Sequence, residues 1–514
     1  MTTRSARVEY EGGEKLSRWR EWFWPVHRSE LPKLLPLLLM KFCFSFVFTL
    51  LFATKDTVVV TSAGSGAEVI PLLKGGVVLI FACLVTIAYA KGSNILRKKS
   101  LFYVSIVPFF IFFGLYGFFL FPNQASLCPH KTADWLSSLV GEGHQHWVAV
   151  FRYWMNSLFF VVAELWGSLM IVFTFWSFAN QICSVKDATK FYTLFAAGGN
   201  LGVIIASPLI WYCSKILNGG DFEVTVQYLM TMAMFLTLMI IAIYWWINRY
   251  IQDVDKELSG AHKKKEKPSL KESLRCLFHS RSLGLIALMV IGYSLSVNLV
   301  EVPWKAALKV RYPDANDYQA YSGIVQGIVG VVAFFLSFFV GGNVMRRLGW
   351  FAGAIATPLV LGICSLAFFM VFLSSYHAGA FINETALLAV VTIGTIHNVA
   401  CKSMKYCLFD PSKEMSFIPL SEEEKIKGKA AVDLVGSRFG KSGSSWIQMG
   451  LIETAGLGSV LNIGIFLAPC VAVAVGGWVY AVTKLKRNIR PVVHQETAVY
   501  VDEAVEVDGV ESTA

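Results

Sequence analysis

Apolar residues gather along this chain into long blocks, from the neighbourhood of Met40 almost to the end, with short polar stretches between them. A bilayer core of roughly 30 Å takes about 20 apolar residues of α-helix. The blocks therefore predict membrane spans near 34–53, 70–90, 101–121, 147–178, 190–213, 226–248, 283–303, 321–341, 350–374, 384–402, 430–452 and 457–482. The number of spans is even, so both ends of the chain fall on one side of the membrane.

A polar, Lys-rich stretch at 249–282 divides the spans into six and six, with one half at 34–248 and the other at 283–482. This predicts an all-α membrane protein of about twelve transmembrane helices in two six-helix halves, laid out like a major-facilitator transporter. Residues 1–33 and 483–514 flank the halves, and the acidic, small-residue-rich end of the second flank reads as disordered. No segment outside the spans is long enough for a large catalytic domain, which argues against a membrane-anchored enzyme. Arg97, Lys98 and Lys99, then Lys186 and Lys190, then Arg346 and Arg347 mark loops on one side; the linker with Lys263, Lys264 and Lys265 and the end with Lys484, Lys486 and Arg487 share it. Basic loops stay cytoplasmic, so both termini are expected in the cytoplasm.

Composition sharpens this reading. The chain is 55% hydrophobic and only 16% charged, too apolar for a soluble domain of 514 residues. Its net charge of +10 sits in short loops between apolar blocks, as topology determinants do, so nucleic-acid binding is disfavoured. The ten cysteines show no CxxC and no paired spacing, which signals neither a metal site nor a disulfide framework; a Cys128–Cys213 bridge is the one pairing left open. Glu9, Glu11, Glu14, Glu21 and Glu30 suit neither a signal peptide nor an acid-poor transit peptide.

Ionisable residues inside spans cost at least about 2.5–3.5 kcal/mol on insertion scales and are candidates for function. Glu164 lies midway along the block from Trp147 to Phe178, with Arg152 and Asn156 a turn apart on the same predicted helix; the bland reading of Glu164 is a carboxyl hydrogen-bonded between helices. Lys74 opens the second span ahead of two glycines, where snorkelling is the alternative. In the seventh span Asn298, Glu301, Lys305 and Lys309 recur at three, four and four residues, on one helix face, with Pro303 inside the run. An exposed intrahelical ion pair is the competing account. Asn398, Lys402 and Lys405 form a second stripe, the last two near the cytoplasmic surface.

Gly436 to Ser442 reads G-S-R-F-G-K-S, one residue short of a Walker A loop and without a preceding strand, so a nucleotide-hydrolysing P-loop is rejected. What remains is a helical stripe of Arg438, Lys441, Ser445 and Gln448. Two cations and two hydrogen-bonding groups suit an anion with several phosphate oxygens. A sugar or drug carrier would not need several buried cations facing one cavity.

Long strings of the chain, TKDTVVVTSAGSGAEVIPLLK (54–74), VVAELWGS (161–168), FWSFANQI (175–182), NLVEVPWK (298–305), KYCLFDPSKEMSFIPL (405–420) and KGKAAVDLVGSRFGKSGSS (427–445), resemble the ATP/ADP translocases of plastids and obligate intracellular bacteria. The resemblance runs from about Leu31 to Leu485. It implies a transporter, not an enzyme, that exchanges ATP for ADP without hydrolysis or cofactor, driven by the two nucleotide gradients, with phosphate as an optional companion. It also implies that Lys74, Glu164, Glu301 and Lys441 are the intramembrane charges tied to transport, and that Asn200 in FAAGGN contacts the phosphates. The absent transit peptide points to the bacterial, chlamydial or rickettsial branch, and so to an inner membrane and a monomeric carrier. Some relatives import nucleotides with protons, and that is the runner-up.

Overall fold

The computed structural model describes residues 26–511 except 184, 218, 251–269, 378–379, 422–423, 425–427, 430–431, 433–435 and 456–457. Most of the predicted linker and the first 25 residues lie outside this set. The described chain is almost wholly helical; a two-residue ribbon pairs Tyr376–His377 with Ala380–Phe381. Eleven of its helices are long and apolar enough to cross a membrane. These are α1 (Leu31–Val60), α2 (Val69–Ile95), α3 (Lys98–Leu120), α4 (Trp154–Ile182), α5 (Leu194–Leu217), α6 (Phe222–Tyr250), α7 (Arg281–Arg311), α8 (Ala315–Leu336), α9 (Arg347–Ser375), α10 (Glu384–Met415) and, after the helix described next, α12 (Gly464–Arg487).

Between α10 and α12 lies α11 (Ser437–Thr454), too polar to register by hydropathy. Its Arg438 meets Thr86 in the later half of α2, and its Glu453 meets His146 on the far side of the bundle. At 1.5 Å per residue its 18 residues cover about 27 Å, close to the thickness of a bilayer core. It therefore makes the twelfth crossing. The linker-bearing side of the molecule is called the linker side below, and the opposite one the distal side.

Within the first half α1 is central, packed on α4, α5 and α6; within the second α7 is central, packed on α10, α11 and α12. Between the halves α2 meets α11 and α5 meets α8. Advancing α2 and α5 by six helices gives α8 and α11, so the two contacts are equivalents under a pseudo-twofold exchange of halves. Small residues let these helices approach. A Cβ on Gly75 of α2 would stand 3.1 Å from the side chains of Ser445 and Trp446 on α11. Outward faces stay apolar, as at Ile80, Leu84 and Ile87 of α2, where lipid is the expected neighbour.

Three sequence expectations change. The first span was expected to end at residue 53, but α1 continues to Val60. Lys55 and Asp56 neutralise one another at 2.8 Å, and the hydroxyls of Thr54 and Thr57 donate to the carbonyls of Leu50 and Ala53, so the polar TKDT segment keeps its helix. The fourth block is not one helix from residue 147; the chain leaves helical geometry at Tyr153 (φ −103°, ψ 49°), and Arg152 ends a separate short helix, Gln145–Arg152. Cys128 and Cys213 form no disulfide, so the pairing left open by the sequence is not made.

Candidate functional site

Five helices bring their charges to one place. In the first half Lys55 of α1 contacts Asp56 at 2.8 Å and Glu164 of α4 at 3.2 Å. In the second half Glu301 of α7 contacts Lys305, one turn on, at 3.3 Å and Lys402 of α10 at 3.7 Å. Two further pairs cross between the halves: Lys305 to Asp56 at 2.9 Å, and Lys74 of α2 to Glu301 at 3.4 Å. All these side chains are largely removed from solvent; those of Lys55, Asp56, Glu301 and Lys305 are no more than 6% exposed. Four lysines face three carboxylates, which leaves one uncompensated positive charge.

The helices carry these groups by local design. Lys74 sits in a π-helical turn, Leu73–Val77, where an extra residue widens the helix ahead of Val78. Its ammonium also donates to Asn298 Oδ1 at 3.1 Å, and Gln448 Nε2 of α11 donates to the Asn298 carbonyl at 3.2 Å. A polar chain thus runs from α2 through α7 to α11. α7 stays helical across Pro303, although proline supplies no N–H to the carbonyl of Leu299. The ring of Phe52 lies under three of the cations, with Lys55 and Lys402 at 4.5 Å and Lys305 at 5.7 Å from its centroid.

Lys441 differs from the other lysines. It is exposed on α11, makes no ion pair among the described residues, and lies near enough for its charge to act on Glu164. It raises the local excess to two positive charges and leaves one cation uncommitted. A narrow cavity beside the cluster is lined by Asp56, Glu301, Lys305, Lys402, Tyr318 and Gln326, among others. The Tyr318 hydroxyl is buried there, with no hydrogen-bond partner among the described residues. Cations, a buried hydroxyl and an aromatic ring are the kinds of group that a multiply charged anion pairs with. No cluster of His, Cys, Asp and Glu suited to a metal occurs among the described residues.

Other expected residues lie elsewhere. Arg152 pairs with Asp134 at 2.6 Å on the exposed distal surface, beyond the break that separates it from α4. Asn156 fastens α4 to α1 within the first half, donating to the Val58 carbonyl and Ser62 Oγ and accepting from Tyr116. Arg438 donates to Thr86 at 3.3 Å toward the linker side. Lys405 pairs with Asp410 at 2.7 Å, whereas Lys402, expected near the surface, joins the cluster. Asn200 is half-buried on α5, next to Gly199, where α5 crosses α1 at Lys41 and Ser45. Lys41 precedes Lys55 by fourteen positions, so this crossing lies about 21 Å nearer the linker side.

Sequence reasoning passed over Lys55, Asp56 and Tyr318. The signal for the first two was the TKD triplet immediately past the predicted end of α1; adjacent opposite charges can stay in a span that either alone would end. Tyr318 carried no signal, because a tyrosine near a helix start is common in membrane proteins.

Polar contacts also close the distal side. Gln319 of α8 donates to Thr54 at 3.0 Å and accepts from Thr57; Lys309 reaches the Ser65 carbonyl. Glu68 accepts from Ser459 and from the Val460 amide, and Glu453 accepts from Trp147 at 2.7 Å and meets His144 and His146. Apart from Arg438 to Thr86, polar contacts between the halves among the described residues lie at the cluster or distal to it.

The TLC ATP/ADP transporter family matches residues 10–489. This chain belongs to that family. TLC ATP/ADP transporters resembling it include ADP,ATP carrier protein 1 of Chlamydia trachomatis, 42% identical over 480 residues and covering 91% of this chain and 90% of the relative. The chloroplastic ADP,ATP carrier protein 1 of Arabidopsis thaliana is 40% identical over 474 residues, with 90% of this chain and 74% of the relative covered. Among solved structures, a D-xylose-proton symporter superposes with a TM-score of 0.55 at 14% identity, over 87% of this chain and 96% of that one. The nucleoside transporter NupG gives 0.52 at 12% identity, over 88% and 99%. At such identity these two speak for the fold alone, which is that of a major-facilitator-like transporter. The chain is accordingly a multi-pass membrane transporter of the TLC ATP/ADP family, not an enzyme.

Proposed function

We propose that this protein exchanges ATP for ADP across a bacterial inner membrane by alternating access, without hydrolysing either. The observation that carries the reading is the pair of buried ion pairs, Lys305–Asp56 and Lys74–Glu301, which join the halves inside a cluster with excess positive charge. Phosphates entering from the linker side meet Lys441, the uncommitted cation, and then Lys74 and the Phe52-centred lysines. Glu164 and Glu301 hold lysines in place while the site is vacant. The relatives named as ADP,ATP carriers supply the substrate pair. With halves at 34–248 and 283–482 and cytoplasmic termini, the linker side is cytoplasmic and this structure is the inward-facing state of a monomer.

Exchange follows from electrostatics. Closing an empty site over unneutralised lysines brings like charges together in a low dielectric and strips their hydration. Bound phosphates neutralise cations from both halves, so either nucleotide lowers the barrier to reorientation. The test is uptake of labelled ATP by proteoliposomes preloaded with ADP, against unloaded vesicles and with a proton uncoupler. Uptake that needs internal ADP and ignores the uncoupler supports exchange. Uptake into empty vesicles that collapses with the uncoupler contradicts it and favours proton-coupled import.

A further inference from the structure

Asp56 is held differently from the other two carboxylates of the cluster. One of its oxygens accepts from Lys55 of its own helix at 2.8 Å, and the other forms an ion pair with Lys305 of the opposite half at 2.9 Å. Glu164 touches a lysine of its own half only, and the lysines around Glu301 stand farther off, at 3.3 to 3.7 Å. Asp56 therefore makes the shortest ion pair in the cluster that crosses the interface. The residues on either side of it continue the junction: Thr54 and Thr57 hydrogen-bond Gln319 of α8, at the start of the distal seal. A single turn of α1 thus carries both the bridge to α7 and the bridge to α8.

A carboxylate and a phosphate offer a lysine the same partner, an anionic oxygen able to accept charge-assisted hydrogen bonds. We propose that Asp56 is a built-in substitute for the transported phosphate and is the residue that makes transport depend on exchange. In the vacant carrier it ties Lys55 to Lys305 and keeps the distal side shut. An arriving phosphate takes over Lys305 and Lys55, releases Asp56 from the opposite half and frees α1 to move against α7 and α8. Without that replacement, parting the halves would strand an aspartate and a lysine in a low-dielectric interior, which holds the empty carrier in place. Asp56 is in this account a positioning residue; it acts by competing with substrate and not by holding it.

This inference rests on the exchange reading, so its test includes the wild-type protein. Proteoliposomes are loaded with labelled ATP, and efflux is compared in nucleotide-free buffer and in buffer with ADP. In wild type, ADP should accelerate efflux strongly. Asp56→Asn should raise efflux into nucleotide-free buffer at least tenfold, bringing the ratio of the two rates toward one. Asp56→Glu, which restores the charge, should recover part of the ADP dependence. Should the single variant fail to fold, Asp56→Ser, which also removes the carboxylate and leaves both lysines to meet phosphate, is expected to show the same loss of ADP dependence. A variant that still exchanges but leaks no faster than wild type overturns the proposal, and so does one that binds ATP yet neither exchanges nor leaks. If wild-type efflux itself ignores ADP, the exchange reading fails first, and that outcome is visible in the wild-type arm alone.

Discussion

Asp56 and Lys305 lie 2.9 Å apart although they belong to different halves of the protein and are 249 positions apart in sequence, and both side chains are at most 5% exposed. Such a pair is expensive to break from one side only. Removing one partner of a buried pair costs about 3–5 kcal/mol, whereas replacing both is often neutral. Lys305→Met should therefore lower the thermal unfolding temperature in detergent clearly, and Asp56→Asn together with Lys305→Met should recover much of the loss. A Lys305→Met protein as stable as wild type would mean that water already solvates the pair.

Lys74→Gln and Lys441→Gln should each weaken nucleotide binding roughly ten- to a hundredfold, since a charge-assisted hydrogen bond contributes about 1.5–3 kcal/mol. They should differ in stability. Lys74 is committed to Glu301 and Asn298, while Lys441 has no ion pair among the described residues, so only Lys74→Gln should shift the unfolding temperature. Titration calorimetry with ATP and a thermal scan separate the two effects. Wild-type affinity in both variants would remove these lysines from the site.

Purified protein should release no phosphate from ATP. The G-S-R-F-G-K-S run lies largely in α11, whose residues from Ser437 onward are helical, so it has no loop to wrap phosphates. Phosphate release above a Lys441→Gln background would show that the motif is more than a helical stripe.

Acid should loosen the distal seal. The carboxylate of Glu453 accepts from the indole N–H of Trp147 at 2.7 Å and meets His146 at 2.9 Å as well as His144, so one anion fastens three groups of the first half. Protonation removes the charge that these contacts depend on, so the fastening should weaken as pH falls through the carboxylate range. A cysteine placed at Ser459 should label faster with a distal-side thiol reagent as the distal pH drops from about 6 to below about 4, and Glu453→Gln should flatten that dependence. Labelling that is equally acid-sensitive in Glu453→Gln would assign the effect to other groups.

Much of the cluster could be read from sequence because a helix encodes its own faces. Asn298, Glu301 and Lys305 share one face of α7 at the spacing that periodicity predicts, and Lys74 stood out as a cation inside an apolar block. What periodicity does not encode is which faces meet. The partner of Lys305 is Asp56, on a helix expected to stop three residues earlier, because span prediction treats each charge as a cost and ignores neutralisation by a neighbour. Arg152 shows the converse. It matched the periodicity of Asn156 and Glu164, but a break at Tyr153 carries it to the surface and to Asp134. The span expected at 430–452 is α11; its polar stripe depresses its hydropathy, and its contacts at both ends mark the crossing.

The most direct measurement is efflux of labelled ATP from loaded proteoliposomes carrying wild-type protein, with no proton gradient imposed. Ion pairs join the halves at the cluster, and on the exchange reading the label should leave quickly only when unlabelled ATP or ADP is supplied outside, and scarcely at all in nucleotide-free buffer. Equal efflux with and without external nucleotide would contradict obligate exchange and leave a uniporter in its place.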